Sequence, residues 1–311
     1  MSMPKQFIKT KINRIDNKRK LNSKYKFFDR KKNKKYALIV LSGYRNFLWK
    51  AVFGRIKKFC LDDIDVCIIS SGLFSEELSK ICDENDWSYL STQKNQLCIA
   101  QNIALKIFDR AEYIYKLDED MFITKEFFLN MRETYSKVKK EGLYDIGFVS
   151  PLTPINGYGY IRLLKKFDKL SDYEKRFGKA VYGGNNNSCD FISNKDVPFF
   201  MNSIPEFQNI DTLSNTLNID PFNYSVCPVR YNIGAIFLKR DVWKDMGMFS
   251  VPHGGVGLGI DESDLNSYCI CNSKAMIISE NCAVAHFGYG AQVSDKLINA
   301  YKKREKEYLV N

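Results

Sequence analysis

Tyr113-Ile114-Tyr115-Lys116-Leu117-Asp118-Glu119-Asp120 is the stretch on which the reading of this 311-residue chain turns. Its β-branched, aromatic and aliphatic residues predict a buried strand, and that strand delivers three carboxylates together. Side chains alternate along a strand, so an Asp-x-Asp at its end is expected to place Asp118 and Asp120 on one side. Two converging carboxylates form a hard oxygen site suited to Mg²⁺ or Mn²⁺, and such an ion can hold a diphosphate. In open α/β sheets the C-terminal ends of the strands are also where ligands bind.

Upstream of this stretch, strands are predicted at 36–41, ending at Ser42-Gly43, at 65–70 and at 87–90. Helices are predicted at 47–59, from the capping residue Ser75 onward, and at 97–108, where Ile99, Ala100, Ile103, Ala104 and Ile107 keep helical spacing. Strands alternating with helices predict an α/β fold, Rossmann-like, with a mostly parallel central sheet. No Gly-x-Gly-x-x-Gly follows the first strand and no Walker loop occurs. Phosphate recognition is therefore expected from elsewhere, with a metal held by the acidic cluster as the natural candidate.

Downstream, periodicity fades over 151–230, which holds Pro151, Pro154, the loop Gly183-Gly184-Asn185-Asn186-Asn187 and Pro221. A long irregular insertion of this kind often carries a binding surface. Order returns with a strand at 232–238 and a helix at 240–246 that stops at Gly247. The loop His253-Gly254-Gly255-Val256-Gly257-Leu258-Gly259 follows, then a second acidic cluster, Asp261-Glu262-Ser263-Asp264, expected to open a helix. A strand pair at 275–278 and 283–285 leads to His286, one of two histidines. Imidazole suits Mn²⁺. The last helix is predicted over 293–308.

Composition sets the frame. A hydrophobic share of 45% with 27% charged residues describes a soluble globular protein. No run reaches the roughly 18–20 apolar residues of a membrane span, and the N-terminus lacks a secretory signal core. The nine cysteines contain no Cys-x-x-Cys and read as reduced thiols of a cytoplasmic protein, Cys269-x-Cys271 included. Charge is lopsided. Residues 1–35 carry fourteen of the 47 Lys and Arg against two acids, which leaves 33 basic and 34 acidic residues beyond. This arm is either a solvated tail or an adhesive for an anionic membrane surface, where each basic residue adds about 1 kcal/mol. Nucleic acid, which would attract the same charges, is the least favoured partner.

The order of these segments resembles inverting glycosyltransferases of the GT-A fold, and most of all glycosyltransferase family 2. Three segments carry the likeness: Ala100-Gln101-Asn102-Ile103-Ala104 through Asp118-Glu119-Asp120, Ile233 through Trp243 to Phe249, and Gly259-Ile260-Asp261-Glu262-Ser263-Asp264-Leu265. The glycine-rich lead into the last is similar to that of the β-1,4-galactosyltransferases. The resemblance implies a transferase moving a sugar from a nucleotide-diphosphate donor, a UDP-sugar on expectation, to a glycan or lipid-linked acceptor in surface polysaccharide synthesis.

It implies roles too. Asp120 would bind Mn²⁺ or Mg²⁺ directly, Asp118 would reach the metal through water or contact the donor ribose, and His286 would be a further metal ligand. Ser42 and Asn102 would join Asp118 in contacting the donor. Glu262, or Asp261 beside it, would take the acceptor proton, and Asp264 would orient the acceptor or cap the helix. The domain plan is then a basic arm, 1–35, and one transferase domain, 36–311. That domain comprises a nucleotide-sugar half at 36–150, the insertion 151–230 and an acceptor half at 231–311.

The family's acid after the second strand, which grips uracil, is replaced by Ser70-Ser71-Gly72. The signature of processive synthases is missing, so single additions are expected. Two other readings compete. A sugar nucleotidyltransferase would need a basic glycine-rich loop after the first strand, of which Leu41-Ser42-Gly43-Tyr44-Arg45 is a poor version. A non-catalytic glycan or nucleic-acid binder would have no need of Asp118, Asp120, Glu262 and His286 together.

Overall fold

The computed structural model describes residues 16–183, 191–218 and 222–310. Residues 1–15 of the arm, 184–187 of the insertion's glycine–asparagine loop, and Pro221 lie outside them. Strands and α-helices run in the order β1 (Tyr25–Phe28), β2 (Tyr36–Leu41), α1 (Asn46–Phe59), β3 (Ile64–Ser71), α2 (Glu76–Glu84), β4 (Ser88–Thr92), α3 (Leu97–Ile107), β5 (Tyr113–Asp118), β6 (Met121–Phe122), α4 (Phe127–Glu141) and β7 (Asp145–Leu152). Then come α5 (Gly159–Lys166), α6 (Leu170–Phe177), α7 (Val197–Ser203), α8 (Pro205–Gln208), α9 (Ile210–Leu217), β8 (Tyr224–Val226), β9 (Ala235–Lys239), α10 (Arg240–Asp245), α11 (Ile260–Cys271), β10 (Lys274–Ala283), β11 (Ala285–His286) and α12 (Asp295–Arg304).

Two compact units divide the chain. The first takes the described residues up to Tyr44, then Asp62–Tyr115 and Leu238–Cys271. Its strands lie in the order β1-β4-β3-β2-β5. β2, β3 and β4 pair in parallel, with Ile39 opposite Cys67 and Ile69 opposite Leu90. All eight residues of β3 are buried, as expected of a parallel strand whose two faces are both covered. Ser75 caps α2 by accepting from the Leu78 N–H, and three residues into the capping turn Leu78 is already buried.

The second unit takes Arg45–Leu61, Lys116–Phe237 and the chain from Asn272. Its strand order is β5-β9-β7-β10-β8, and β6 and β11 form a separate two-stranded ribbon. β10 lies parallel to β7, while β9 and β8 are antiparallel to their neighbours β7 and β10. The α/β class with its mostly parallel sheet is the one the sequence implied.

Several elements differ from expectation. Residues 275–285 do not form a strand pair. β10 is one long strand with an irregularity between Ser279 and Ala283, and only β11 is separate. The last helix is shorter, ending at Arg304 before a 3₁₀ turn, Glu305–Glu307. The insertion is mainly short helices, α5 to α9. Part of the basic stretch 1–35 takes regular structure, with β1 at Tyr25–Phe28. Phe27 and Phe28 of β1 pair with Leu90 and Tyr89. The main-chain N–H groups of Lys32 and Lys34 donate to Asp65, and Arg30 reaches Asp83 and the Trp87 carbonyl. Lysine-rich composition concealed an edge strand, a common use of Lys at sheet edges. Among the described residues no helix is long and apolar enough to cross a membrane.

Candidate functional site

In the second unit, β5 ends at Asp118, and Glu119 and Asp120 form the turn into β6. The strand's alternation therefore stops before Asp120, and the expectation that Asp118 and Asp120 share a face does not apply. Asp118 pairs with the buried Lys116 at 2.8 Å, and Lys116 also donates to the Ile233 carbonyl. Asp120 turns to other partners. The ribbon of β6 and β11 sets Met121 opposite His286, and the Phe287 N–H donates to the Asp120 carbonyl. This register brings His286 Nε2 to 3.4 Å from Asp120 Oδ2. Nδ1 of the same ring donates to the Ile155 carbonyl at 2.9 Å, which fixes the ring and turns Nε2 toward the carboxylate.

Both groups are buried, and their charges are mutually sustained. Burial pushes the Asp120 carboxyl up, but His286 and then Arg45 outweigh it and hold it below its ordinary value. Burial pushes the His286 imidazole down, but Asp120 and the Ile155 carbonyl outweigh it and raise it. Arg45 Nη1 makes a short ion pair with the same Asp120 oxygen.

Sequence reasoning gave Glu119 no role. Its Oε1 accepts from the Arg45 N–H at 3.1 Å and its Oε2 from Trp49 Nε1 at 2.6 Å. The middle acid of the triplet thus ties the end of β5 to the first turn of α1, where a carboxylate also meets the positive end of the helix. The signal available in sequence was the position of Arg45 and Trp49, four residues apart on one face at that helix's start.

Among the described residues no three His, Cys, Asp or Glu side chains converge as a metal site, so the expected trio of Asp118, Asp120 and His286 is not assembled. The pair that is assembled does fit a divalent cation. Mg²⁺ and Mn²⁺ at diphosphates are commonly held by one or two protein groups, with phosphates and waters completing the shell. A carboxylate oxygen beside an imidazole nitrogen suits Mn²⁺. A ring whose other nitrogen donates to a main-chain carbonyl is the usual arrangement of a metal-ligating histidine.

The first unit holds the second acidic cluster. Gly255, Gly257 and Gly259 all have left-handed φ, between 70° and 78°, where a side chain would be strained. The loop is fastened to the start of α3 by Leu97 N–H to the Val256 carbonyl at 3.0 Å, and by Gln96 to the Gly255 carbonyl. It delivers Asp261 and Glu262 into the first turn of α11. They face differently, being about 100° apart on the helix. Asp261 is on the buried face with Leu265 and Cys269, and accepts from Gln101 Nε2 at 2.9 Å. Glu262 is half-buried. Asp264 lies a turn inside the helix, so it does not cap it; it accepts from the Ser250 N–H at 2.5 Å.

Two expected donor contacts of this unit fare differently. Asn102 is fully buried and its amide is saturated. Its oxygen accepts from Trp243 Nε1 and the Phe249 N–H, and its nitrogen donates to the Phe249 and Lys20 carbonyls. Four bonds exhaust an asparagine side chain, so Asn102 serves as a knot between α3 and 243–249 rather than as a ligand. Ser42 is buried with its N–H on the Ile69 carbonyl, and its Oγ finds no partner among the described residues. Ser70 is engaged by the Leu73 carbonyl and the Tyr89 hydroxyl. Cys269 is buried and Cys271 exposed, so the Cys-x-Cys points two ways.

No family model matches the chain, and no curated protein matches it. Among solved structures it is similar to the mannosyltransferase PcManGT from Pyrobaculum calidifontis in complex with GDP-Man and Mn²⁺, at 14% identity and a TM-score of 0.49, covering 94% of this chain and 67% of that one. It is also similar to S. aureus TarS 1–349, at 11% identity and a TM-score of 0.46, covering 81% of this chain and 60% of that one. The chain thus spans about three fifths of the TarS fragment's length.

Proposed function

We propose that this protein is a glycosyltransferase that uses a nucleotide-diphosphate sugar, with Asp120 and His286 holding a divalent cation at the donor. The observation that carries the reading is that pair: a carboxylate and an oriented imidazole brought together at the end of a sheet strand by the β6–β11 ribbon. A cation bound there would offset negative charge growing on a departing nucleoside diphosphate. Asp118, already paired with Lys116, is assigned to the donor ribose, and Ser42, whose hydroxyl has no partner among the described residues, to the donor as well.

Glu262 is the proposed general base and Asp261, held by Gln101, its buried companion. A base must reach the acceptor hydroxyl, which favours the less buried of the two. Attack on the face opposite the leaving group inverts the sugar's anomeric carbon. UDP-sugars are the first donors to try, and a glycan or lipid-linked acceptor of surface polysaccharide synthesis is the proposed recipient. The basic N-terminal residues would hold the enzyme at the cytoplasmic face of an anionic membrane.

The test is nucleoside diphosphate release from a panel of UDP- and GDP-sugars, with Mn²⁺ or with EDTA. Release from one donor, abolished by EDTA and by Asp120→Asn, is expected. Glu262→Gln should lower the rate by about 10²–10⁴-fold, the usual worth of a general base, and Asp261→Asn by less. Binding of no donor in calorimetry would sink the reading.

A further inference from the structure

Asp120 has more positive partners than it can keep. Its Oδ2 is shared by Arg45 Nη1, in a short ion pair, and by His286 Nε2 at 3.4 Å. A divalent cation on Asp120 and His286 would be a further positive charge at that oxygen. At separations of a few ångströms in a partly desolvated setting, like charges repel strongly. The guanidinium and the metal therefore compete for one carboxylate.

Arg45 is built to give way without disturbing the backbone. Its main chain is fastened, the N–H by Glu119 and the carbonyl by the Leu48 N–H at 2.9 Å. Its side chain is 23% exposed. Of its donors, Nη1 alone makes the contacts with Asp120 and the Gly288 carbonyl, and Nε and Nη2 take part in neither. The guanidinium also lies 5.9 Å from the Phe287 ring. A guanidinium whose Nε and Nη2 take no part in these contacts is a ready partner for paired phosphate oxygens.

We propose that Arg45 is an exchangeable counter-ion: it neutralises Asp120 until a divalent cation takes that carboxylate, and then passes to the diphosphate of the donor. The assignment rests on the transferase reading for the identity of its anion. It makes metal and nucleotide bind with positive coupling, because each supplies Arg45 or Asp120 with the partner the other removes.

The experiment is a pair of titrations on the full chain, comparing wild type with Arg45→Ala and Arg45→Lys. Mn²⁺ alone is followed by the electron paramagnetic resonance of the free ion, and UDP and GDP are followed by calorimetry with and without Mn²⁺. Arg45→Ala keeps the main-chain bond to Glu119. It should bind Mn²⁺ alone about tenfold tighter, and should bind the nucleoside diphosphate in Mn²⁺ about tenfold more weakly. Each change corresponds to about 1.4 kcal/mol. Arg45→Lys should lie between. An unchanged or weakened Mn²⁺ affinity in Arg45→Ala overturns the exchange. Unchanged nucleotide affinity in that variant, with wild type binding normally, overturns the phosphate role and leaves the transferase reading standing. A wild type that binds neither UDP nor GDP overturns both.

Discussion

Asp120 and His286 hold opposite charges in a buried place, and each keeps the other ionised. The Asp120 contribution to stability is present above the ordinary carboxyl value and is lost as pH falls through its lowered one. The His286 contribution is full below the ordinary imidazole value and is lost as pH rises through its raised one. Their combined contribution is therefore greatest between about pH 4 and pH 6.5. In metal-free protein, the urea midpoint of wild type should exceed that of His286→Asn most near the acid end of that window. The gap should narrow as pH rises toward 9, and a gap independent of pH would show that the imidazole is not the charged partner. Glu119 is the other residue to test. Glu119→Ala removes the acceptor of a buried indole N–H and of the Arg45 N–H. Loss of hydrogen bonds to a charged group should cost about 2–4 kcal/mol in denaturant titration.

At the scale of elements, α1 is anchored at its start and along its length. Glu119 holds its start, and Arg55, fully buried, holds its middle by a two-pronged pair with Asp211 of α9, both bonds at 2.8 Å. Arg55 also donates to the Ile123 and Tyr308 carbonyls. Arg55→Met keeps the length of the side chain but leaves Asp211 and two carbonyls without their donor. Breaking a buried pair this way should cost about 3–5 kcal/mol, read as a shift in the denaturation midpoint at constant slope. The strands and helices from β2 to β5 were legible in the sequence because parallel strands read as unbroken apolar runs and their helices as amphipathic ones. α4 and β7 are not legible in the same way. β7 runs Asp145-Ile146-Gly147-Phe148-Val149-Ser150-Pro151-Leu152, and its Gly and Pro look like breakers. The Asp120–His286 pairing could be guessed only from resemblance, since the two-residue strands that create it carry too little pattern to register. The role of Glu119 was hidden for another reason: it depends on which way a turn residue points once β5 has ended.

At the scale of the whole molecule, the basic N-terminal stretch does structural work as well as carrying charge. Deleting residues 1–35 would expose β4 as an edge and strip Asp65 of two N–H donors. The truncated chain should melt well below wild type, whatever it does to vesicle binding. Vesicle binding is better tested by charge-reversing Lys24 and Lys26, with flotation on anionic liposomes at rising salt. Binding that ignores both the substitutions and the salt would argue against the membrane assignment. A last consequence follows from Tyr308. Its ring lies 4.7 Å from that of Phe122 and 5.3 Å from that of Tyr301, and its carbonyl is held by Arg55. Phe122 belongs to the ribbon that aligns His286. In Tyr308→Ala the amide proton of Phe287 should therefore lose protection from exchange, so that a ring twenty-two residues away reports on the setting of a histidine.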